Sequence, residues 1–455
     1  MLEEAKNLLL TQVGAGTPMG NLLRRYWMPI AAVSEFDEIS VKAVRLFGED
    51  LVLYKDLGGR FGLLDRHCPH RRADLSYGYV EACGLRCNYH GWLWGDDGRC
   101  LEQPYDDLAH PEAHFKDKVR IAAYPVEPKG GLLWAYLGPQ PAPLVPNWEP
   151  FTFENVFVQI VFSEIPCNWF QCQENSIDPV HFEWMHRNWS LRLRGQSGPY
   201  APRHRKLGFD EFPYGFVYKR VTEDIDESDP LWTVGRVCLW PNALFTGHFE
   251  WRVPVDDSNT LSVTWHASPV PSEKHPFVQE RIPSWKGPIK DPRTGQWITT
   301  HVMNQDFVAW LGQGIVSDRQ NEHLGASDRG VILMRKRFLD DLAAIERGED
   351  PKCVIRDPKE NEALRLPIVL RDLYTKPHTR AQLEANPGRI GTYMRNYLFQ
   401  SGQPDAVRLE YEKALLIETD PTDSILKLLS EQQTSRTVDD GSRVRQVAGA
   451  LSLDE

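Results

Sequence analysis

No run of apolar residues in this 455-residue sequence approaches the ~20 that a bilayer-spanning helix needs. The N-terminus, Met1-Leu2-Glu3-Glu4-Ala5-Lys6, is acidic where an export signal would be basic. Positive charge is in deficit: 52 lysines and arginines against 63 aspartates and glutamates give a net charge of −11, which argues against a nucleic-acid surface. Cysteine is scarce, eight in all, and without an export signal these read as reduced or metal-bound rather than disulfide-paired. No Gly-x-Gly-x-x-Gly follows a strand pattern, so the chain carries no sign of its own flavin or nicotinamide site. No internal repeat occurs. These absences leave a soluble, cytoplasmic protein with no membrane or nucleic-acid partner, long enough for two or three domains.

What is present is concentrated between positions 68 and 90. Cys68-Pro69-His70 is followed, after sixteen residues, by Cys87-Asn88-Tyr89-His90. Each half offers one thiolate and one imidazole, the donor set of a 2Fe-2S cluster in which two cysteines hold one iron and two histidines the other. Exchanging two thiolates for neutral imidazoles removes negative charge and raises the reduction potential, so such a cluster accepts electrons from a lower-potential donor. A zinc site uses the same donor types but pairs like with like, Cys-x2–4-Cys and His-x3–5-His. Pro69 and Gly91 supply tight turns that let backbone amides point at the cluster. Cys83, Cys100, Cys167, Cys172, Cys238 and Cys353 have no ligand spacing and read as core or incidental thiols.

A second constellation lies in Asn175-Ser176-Ile177-Asp178-Pro179-Val180-His181-Phe182-Glu183-Trp184-Met185-His186, within a segment predicted helical over 168–187. Asp178 and His181, three apart, share a helix face. His181 and His186 are five apart, which a regular helix would splay, so a local break or the helix end must bring them together. Two imidazoles and a carboxylate on one face of a metal leave positions open for oxygen and substrate, the arrangement of a non-haem Fe(II) oxygenase. Two distant carboxylates are further candidates, Asp306 in Asn304-Gln305-Asp306 and Asp328 in Ala326-Ser327-Asp328-Arg329. Asp328 is preferred as the N-cap of a helix running through Arg335 and Leu339; Asp306 and Asp318 read as solvated helix-face charges.

From Val41 to Leu64, alternating β-branched and aromatic residues are broken by Gly48-Glu49-Asp50 and Gly58-Gly59, the pattern of antiparallel hairpins. The Pro-rich stretch Pro139 to Pro150 marks a boundary. Strands are predicted at 156–162, 215–220, 233–240, 243–252 and 260–268, and helix over 300–345. The fold class is α+β. It combines an N-terminal helical segment (1–34), a small all-β domain (35–145), a catalytic domain with an antiparallel sheet flanked by helices (146–345), and a C-terminal helical extension and tail (346–455) that turns polar after Thr434.

The runs Arg66-His67-Cys68-Pro69-His70-Arg71, Ala73-Asp74-Leu75-Ser76-Tyr77-Gly78 and Leu85-Arg86-Cys87-Asn88-Tyr89-His90-Gly91-Trp92 resemble the Rieske domain of ring-hydroxylating oxygenases. Thr17-Pro18-Met19-Gly20 with Leu22-Leu23-Arg24-Arg25-Tyr26-Trp27 is similar to the phthalate dioxygenase-like branch of that family. The resemblance, over roughly residues 15 to 345, implies a Rieske 2Fe-2S cluster on Cys68, His70, Cys87 and His90, and a catalytic domain of helix-grip type. It implies a mononuclear Fe(II) on His181 and His186, and it favours Asp328 as the third ligand because Ser327-Asp328 looks like the family's segment opening its catalytic helix. Asp178 is then not a ligand but the bridge to a cluster histidine of a neighbouring subunit, and Asn175 lies beside the iron. Further implications are a terminal oxygenase fed by an NAD(P)H-dependent reductase, with or without a ferredoxin, and a homotrimer or stacked hexamer.

The expected reaction is O2-dependent ring dioxygenation of an aromatic carboxylate. O- or N-dealkylation by a monooxygenase is the alternative, and a pure electron-transfer Rieske protein the outsider. Candidate pocket aromatics are Trp184, Trp189, Phe245, Phe249 and Trp251, and candidate carboxylate-binding cations Arg192, Arg194, Arg203, Arg205, Lys206 and Arg236.

Overall fold

The structure, a computed structural model, describes residues 2–193, 195, 201–385 and 401–418. Arg194 and the polar stretch after Thr434 lie outside the described residues.

Two short helices, Glu4–Thr11 and Pro18–Leu23, open the chain, the second started by the Thr17 side chain, which accepts from the Gly20 amide. The next strand, Met28–Ala32, pairs antiparallel with Leu132–Ala135, so the N-terminal segment is stitched to the far end of the small β region. That region holds two four-stranded antiparallel sheets. One is built from Val41–Leu46, Glu49–Lys55, Phe61–Asp65 and Ala123–Tyr124, the other from Tyr79–Glu81, Gly84–Arg86, Leu93–Trp94 and Cys100–Glu102. Between them Val52, Tyr54, Leu64, Leu75, Leu85 and Trp94 form a dry core on which Cys68 and Cys87 sit. The Pro-rich stretch then runs against the C-terminal extension: the Leu144 and Glu149 amides donate to the Ile355 and Leu364 carbonyls.

The larger region is one eight-stranded sheet. Its strands are β1 (Val156–Ile165), β2 (His204–Phe212), β3 (Gly215–Thr222), β4 (Arg236–Leu239), β5 (Ala243–Phe245), β6 (His248–Pro254), β7 (Thr260–Pro269) and β8 (Ser284–Lys286). The order is β2-β3-β4-β5-β6-β7-β1-β8, antiparallel except where β8 runs parallel to β1. Strand alternation gives this sheet two unlike faces. Phe249, Trp251 and Trp265 point one way, within 5.2–5.4 Å of the rings of Phe151 or Trp134. These aromatics are core, not pocket. The other face carries Tyr218, Arg220, Arg236, His248, Glu250, Arg252, Ser262 and Thr264, all buried. Burying so many polar groups is costly unless they are used.

Three helices cover the polar face and its margins: α1 (Trp169–Asn175), α2 (Val302–Leu311) and α3 (Arg329–Glu346). Arg252 donates to the Cys172 carbonyl of α1 at 3.3 Å and lies over the Trp310 ring of α2. Phe338 of α3 packs on Trp169, Phe170 and Trp240. The stretch predicted as helix over 300–345 is thus two helices, α2 and α3, separated by a turn-rich connection. No helix among the described residues is long and apolar enough to cross a membrane.

Candidate metal centres

The two ligand loops of the small β region follow directly from its hairpins. Cys68-Pro69-His70 comes after the strand ending at Asp65, and Cys87–His90 joins Gly84–Arg86 to Leu93–Trp94. Gly91 adopts φ +76°, a left-handed conformation that most side chains resist, and so turns the chain directly after His90. Arg86 pins this loop by donating to the Gly91 carbonyl at 2.5 Å while pairing with Glu81 and Glu102. Cys68 and Cys87 are buried, whereas His70 and His90 are exposed, their rings 4.6 Å apart. Trp92 stacks on His70 at 4.4 Å. The neighbouring Cys68 thiol and the backbone amides of Tyr89 and His90 lower the Cys87 thiol while Cys68 is raised in turn, so one of the pair is set to be a thiolate. Among the described residues the four donors do not crowd round one point, as a single tetrahedral zinc would demand. A wider spread, with cysteines inside and imidazoles outside, fits a two-iron cluster.

The second centre forms where α1 breaks. Asn168 caps α1, accepting from the Phe170 amide, and the helix stops at Asn175, four residues ahead of Pro179, whose ring cannot continue it. The chain re-forms from Phe182 to Arg187 as a π-helical turn. Such a turn closes over five residues, so the 181/186 spacing that an α-helix would splay is brought onto one side. Nε2 of His186 lies 3.3 Å, and Nε2 of His181 3.7 Å, from the same Asp306 oxygen. All three side chains are about nine-tenths buried, and their donor atoms lie within 4.8 Å of one another.

Asp306, not Asp328, therefore completes the trio. Asp328 lies in a single turn, Ala326–Asp328, where its carboxylate accepts from the Gly325 amide at 2.6 Å. It precedes α3 as read from the sequence, but its carboxylate makes no cap hydrogen bond to that helix and is not among the donor atoms gathered at the histidines. Asp306 is 6% exposed, on the side of α2 that buries Met303, Phe307 and Trp310, so it is no solvated helix-face charge. A carboxylate at helical spacing from three large apolar residues was the available signal. Burial acts to raise the Asp306 carboxyl, but His186 and His181 outweigh it and hold it below its ordinary value.

Neighbouring side chains orient the trio. Gln305 Nε2 donates to the Thr299 carbonyl, which leaves Oε1 to accept from His186 Nδ1 at 2.9 Å and leaves His186 Nε2 unprotonated, its lone pair on the side of Asp306. Asn175 Nδ2 donates to Asp306 at 3.3 Å. Asp178 stands outside the trio, its carboxylate 3.5 Å from His181 Nδ1 and its side chain about one-third (34%) exposed. Glu183, inside the π-turn, is clamped by Arg220 at 3.0 Å and His204 at 2.8 Å.

Residues 26–115 match the family model described as the Rieske [2Fe-2S] domain. The chain is 58% identical over 421 residues, 92% of its length and 98% of the relative's, to the 5,5'-dehydrodivanillate O-demethylase oxygenase subunit of a Sphingobium species. It is 33% identical to the phthalate 4,5-dioxygenase oxygenase subunit of Pseudomonas putida, over 77% of this chain and 88% of that one. The chain belongs to the Rieske oxygenase alpha-subunit family. The solved structure of Pseudomonas putida CBB5 NdmA, 19% identical with a TM-score of 0.54, covers 79% of this chain and 97% of its own, and shows the same fold.

This Rieske oxygenase is an oxidoreductase that incorporates O2, and its cofactors are a 2Fe-2S cluster and a mononuclear iron. The two relatives are oxygenase subunits, one named for O-demethylation of 5,5'-dehydrodivanillate and the other for dioxygenation of phthalate. Both donor groups described above match these cofactors in number, type and burial.

Proposed function

We propose that this oxygenase removes a methyl group from an aryl methyl ether, by O-demethylation rather than ring dioxygenation. The observation that carries this reading is the 58% identity, along nearly the whole of both chains, to a subunit named for O-demethylation of 5,5'-dehydrodivanillate. Cys68 and Cys87 would hold one iron of the cluster and His70 and His90 the other, while His181, His186 and Asp306 would hold the mononuclear iron. When bound, the cluster supplies single electrons and the mononuclear iron activates dioxygen beside the substrate.

The chain's own residues set the conditions for that chemistry. Gln305 fixes the His186 tautomer, Asn175 restrains Asp306, and the buried polar face of the sheet shapes a site away from bulk water. Asp178, partly exposed beside His181, would take a hydrogen bond from an exposed His70 or His90 of a second protomer, and a head-to-tail trimer would close such contacts into a ring. In the reaction a methoxy C–H becomes C–OH, and the resulting hemiacetal collapses to a phenol and formaldehyde. The second oxygen atom leaves as water, with two electrons drawn from NAD(P)H through a separate reductase.

The test is turnover of 5,5'-dehydrodivanillate by the iron-loaded protein with a reductase and NADH. Formaldehyde and a demethylated phenol in equal amounts are expected. A ring diol formed without formaldehyde would overturn the reading.

A further inference from the structure

Three arginines project from the buried polar face of the large sheet, and two of them have carboxylates. Arg252 pairs with Glu250 at 2.8 Å, and Arg220 with Glu183 at 3.0 Å. Arg236, on β4 opposite Tyr218 of β3, is 3% exposed, yet neither Nη1 nor Nη2 has a hydrogen-bond partner and no acidic side chain among the described residues pairs with it. Its Cζ lies 3.9 Å from the centre of the Phe182 ring, and that ring lies 4.3 Å from the ring of His181. Stacking on an aromatic face engages the flat of the guanidinium and leaves its N–H edge unused. Arg236 also lines a cavity of about 260 Å³ together with Phe245, His248, His266, Ile368 and Tyr374. Asp229 borders the same cavity, but its carboxylate accepts from the Leu231 amide at 2.7 Å as a helix cap.

A guanidinium stays charged at any accessible pH, and a charge kept dry without a counter-ion is strongly unfavourable. Two of the three arginines on this face are neutralised by the protein itself; the third is left with its fork of donors beside a cavity, one aromatic ring away from a candidate iron ligand. Other basic candidates near the catalytic region are committed elsewhere at the surface, Arg203 to Glu223 and Lys206 to Glu227. We propose that Arg236 is the specificity-determining residue of this oxygenase, binding the carboxylate of an aromatic acid substrate through paired N–H donors, with Phe182 setting the spacing between that carboxylate and the His181 side of the site. The proposal rests on the reading of the chain as an aryl-ether demethylase and deepens it by naming the charged group that the substrate must carry.

The test compares binding of 3-methoxybenzoate and 3-methoxybenzamide to the iron-loaded holoenzyme by calorimetry; the two share ring and methyl ether and differ in charge. The wild type should prefer the acid on the order of tenfold to a hundredfold, the scale of a charge-assisted hydrogen-bonded pair. Arg236→Gln should bring the two ligands to near equality, with iron content and cluster absorption unchanged. Arg236→Lys, which keeps the charge but loses the fork, should retain a reduced preference and serves where the Gln variant folds poorly. An equal affinity for acid and amide in the wild type, or an undiminished preference in either variant, overturns the proposal. Absence of formaldehyde in the turnover experiment would sink the demethylation reading and leave the carboxylate preference standing.

Discussion

Gln305 and Asp306, neighbours on one helix, grip opposite nitrogens of the same ring: Gln305 Oε1 meets His186 Nδ1 at 2.9 Å, and Asp306 faces His186 Nε2 at 3.3 Å. A donor and its orienting partner thus arrive from consecutive residues of α2. Because the Thr299 carbonyl fixes the amide, the ring presents a free lone pair inward without rearrangement. Replacing Gln305 by Leu should free the ring and weaken iron binding about 10–100-fold, the usual cost of losing such a partner. Chelator competition on the purified protein measures this. Unaltered iron retention would show that Gln305 only fills space.

The two rival carboxylates separate cleanly. Asp306→Ala should lower iron from about three to about two per chain while sulfide stays at about two, since only the mononuclear site is emptied. Asp328→Ala should keep full iron and lose about 1 kcal/mol of stability with the hydrogen bond from the Gly325 amide. Metal and sulfide analysis of both variants, alongside a denaturation curve, gives the answer. Iron loss in the Asp328 variant alone would restore the original assignment.

Asp178 touches His181 from outside the trio, and its partial exposure gives it a different predicted phenotype. Asp178→Asn should preserve both metals and the visible spectrum of the cluster. Its chemically reduced cluster should be re-oxidised by O2 and substrate at least about tenfold more slowly in stopped flow, which corresponds to a barrier raised by about 1.4 kcal/mol. Wild-type re-oxidation in this variant would rule out a bridging role.

What could be read before folding was what is local. The cluster loops are legible because each couples one cysteine and one histidine within four residues, with Pro69 and Gly91 dictating the turns. The histidine pair was legible together with the need for a break, though not the π-turn that supplies it. Asp306, the proposed third donor, was passed over because Asp328 carries a strong local signal as a helix start, whereas the burial of Asp306 depends on strands and helices far away in sequence. Strand β2 was missed for a related reason. Its run His-Arg-Lys-Leu-Gly-Phe-Asp-Glu-Phe is half exposed at the sheet edge, so charged residues dilute the alternation. No pattern along the chain distinguishes Arg236 from Arg203; only the fold buries one at the wall of a cavity and sets the other beside Glu223.

The end of α1 supplies a test of acid stability. Glu174 lies between Arg319 and Arg335, each 2.6 Å away, and Arg335 also pairs with Glu322, so one buried carboxylate ties α1 to α3 and to the segment before it. Burial acts to raise the Glu174 carboxyl, but Arg319 and then Arg335 more than offset it and hold it below the ordinary glutamate value. The unfolded chain therefore takes up this proton at higher pH than the folded one. The stabilisation is complete above the ordinary glutamate value, shrinks as pH falls below it, and is lost once the folded-state value is passed. Glu174→Gln strands two buried guanidinium groups and should cost about 3–5 kcal/mol at neutral pH. It should also flatten the decline of the urea midpoint between about pH 5 and about pH 3, followed by tryptophan fluorescence. A variant that loses stability at neutral pH yet keeps the wild-type acid slope would mean that other carboxylates, not Glu174, set the response to acid.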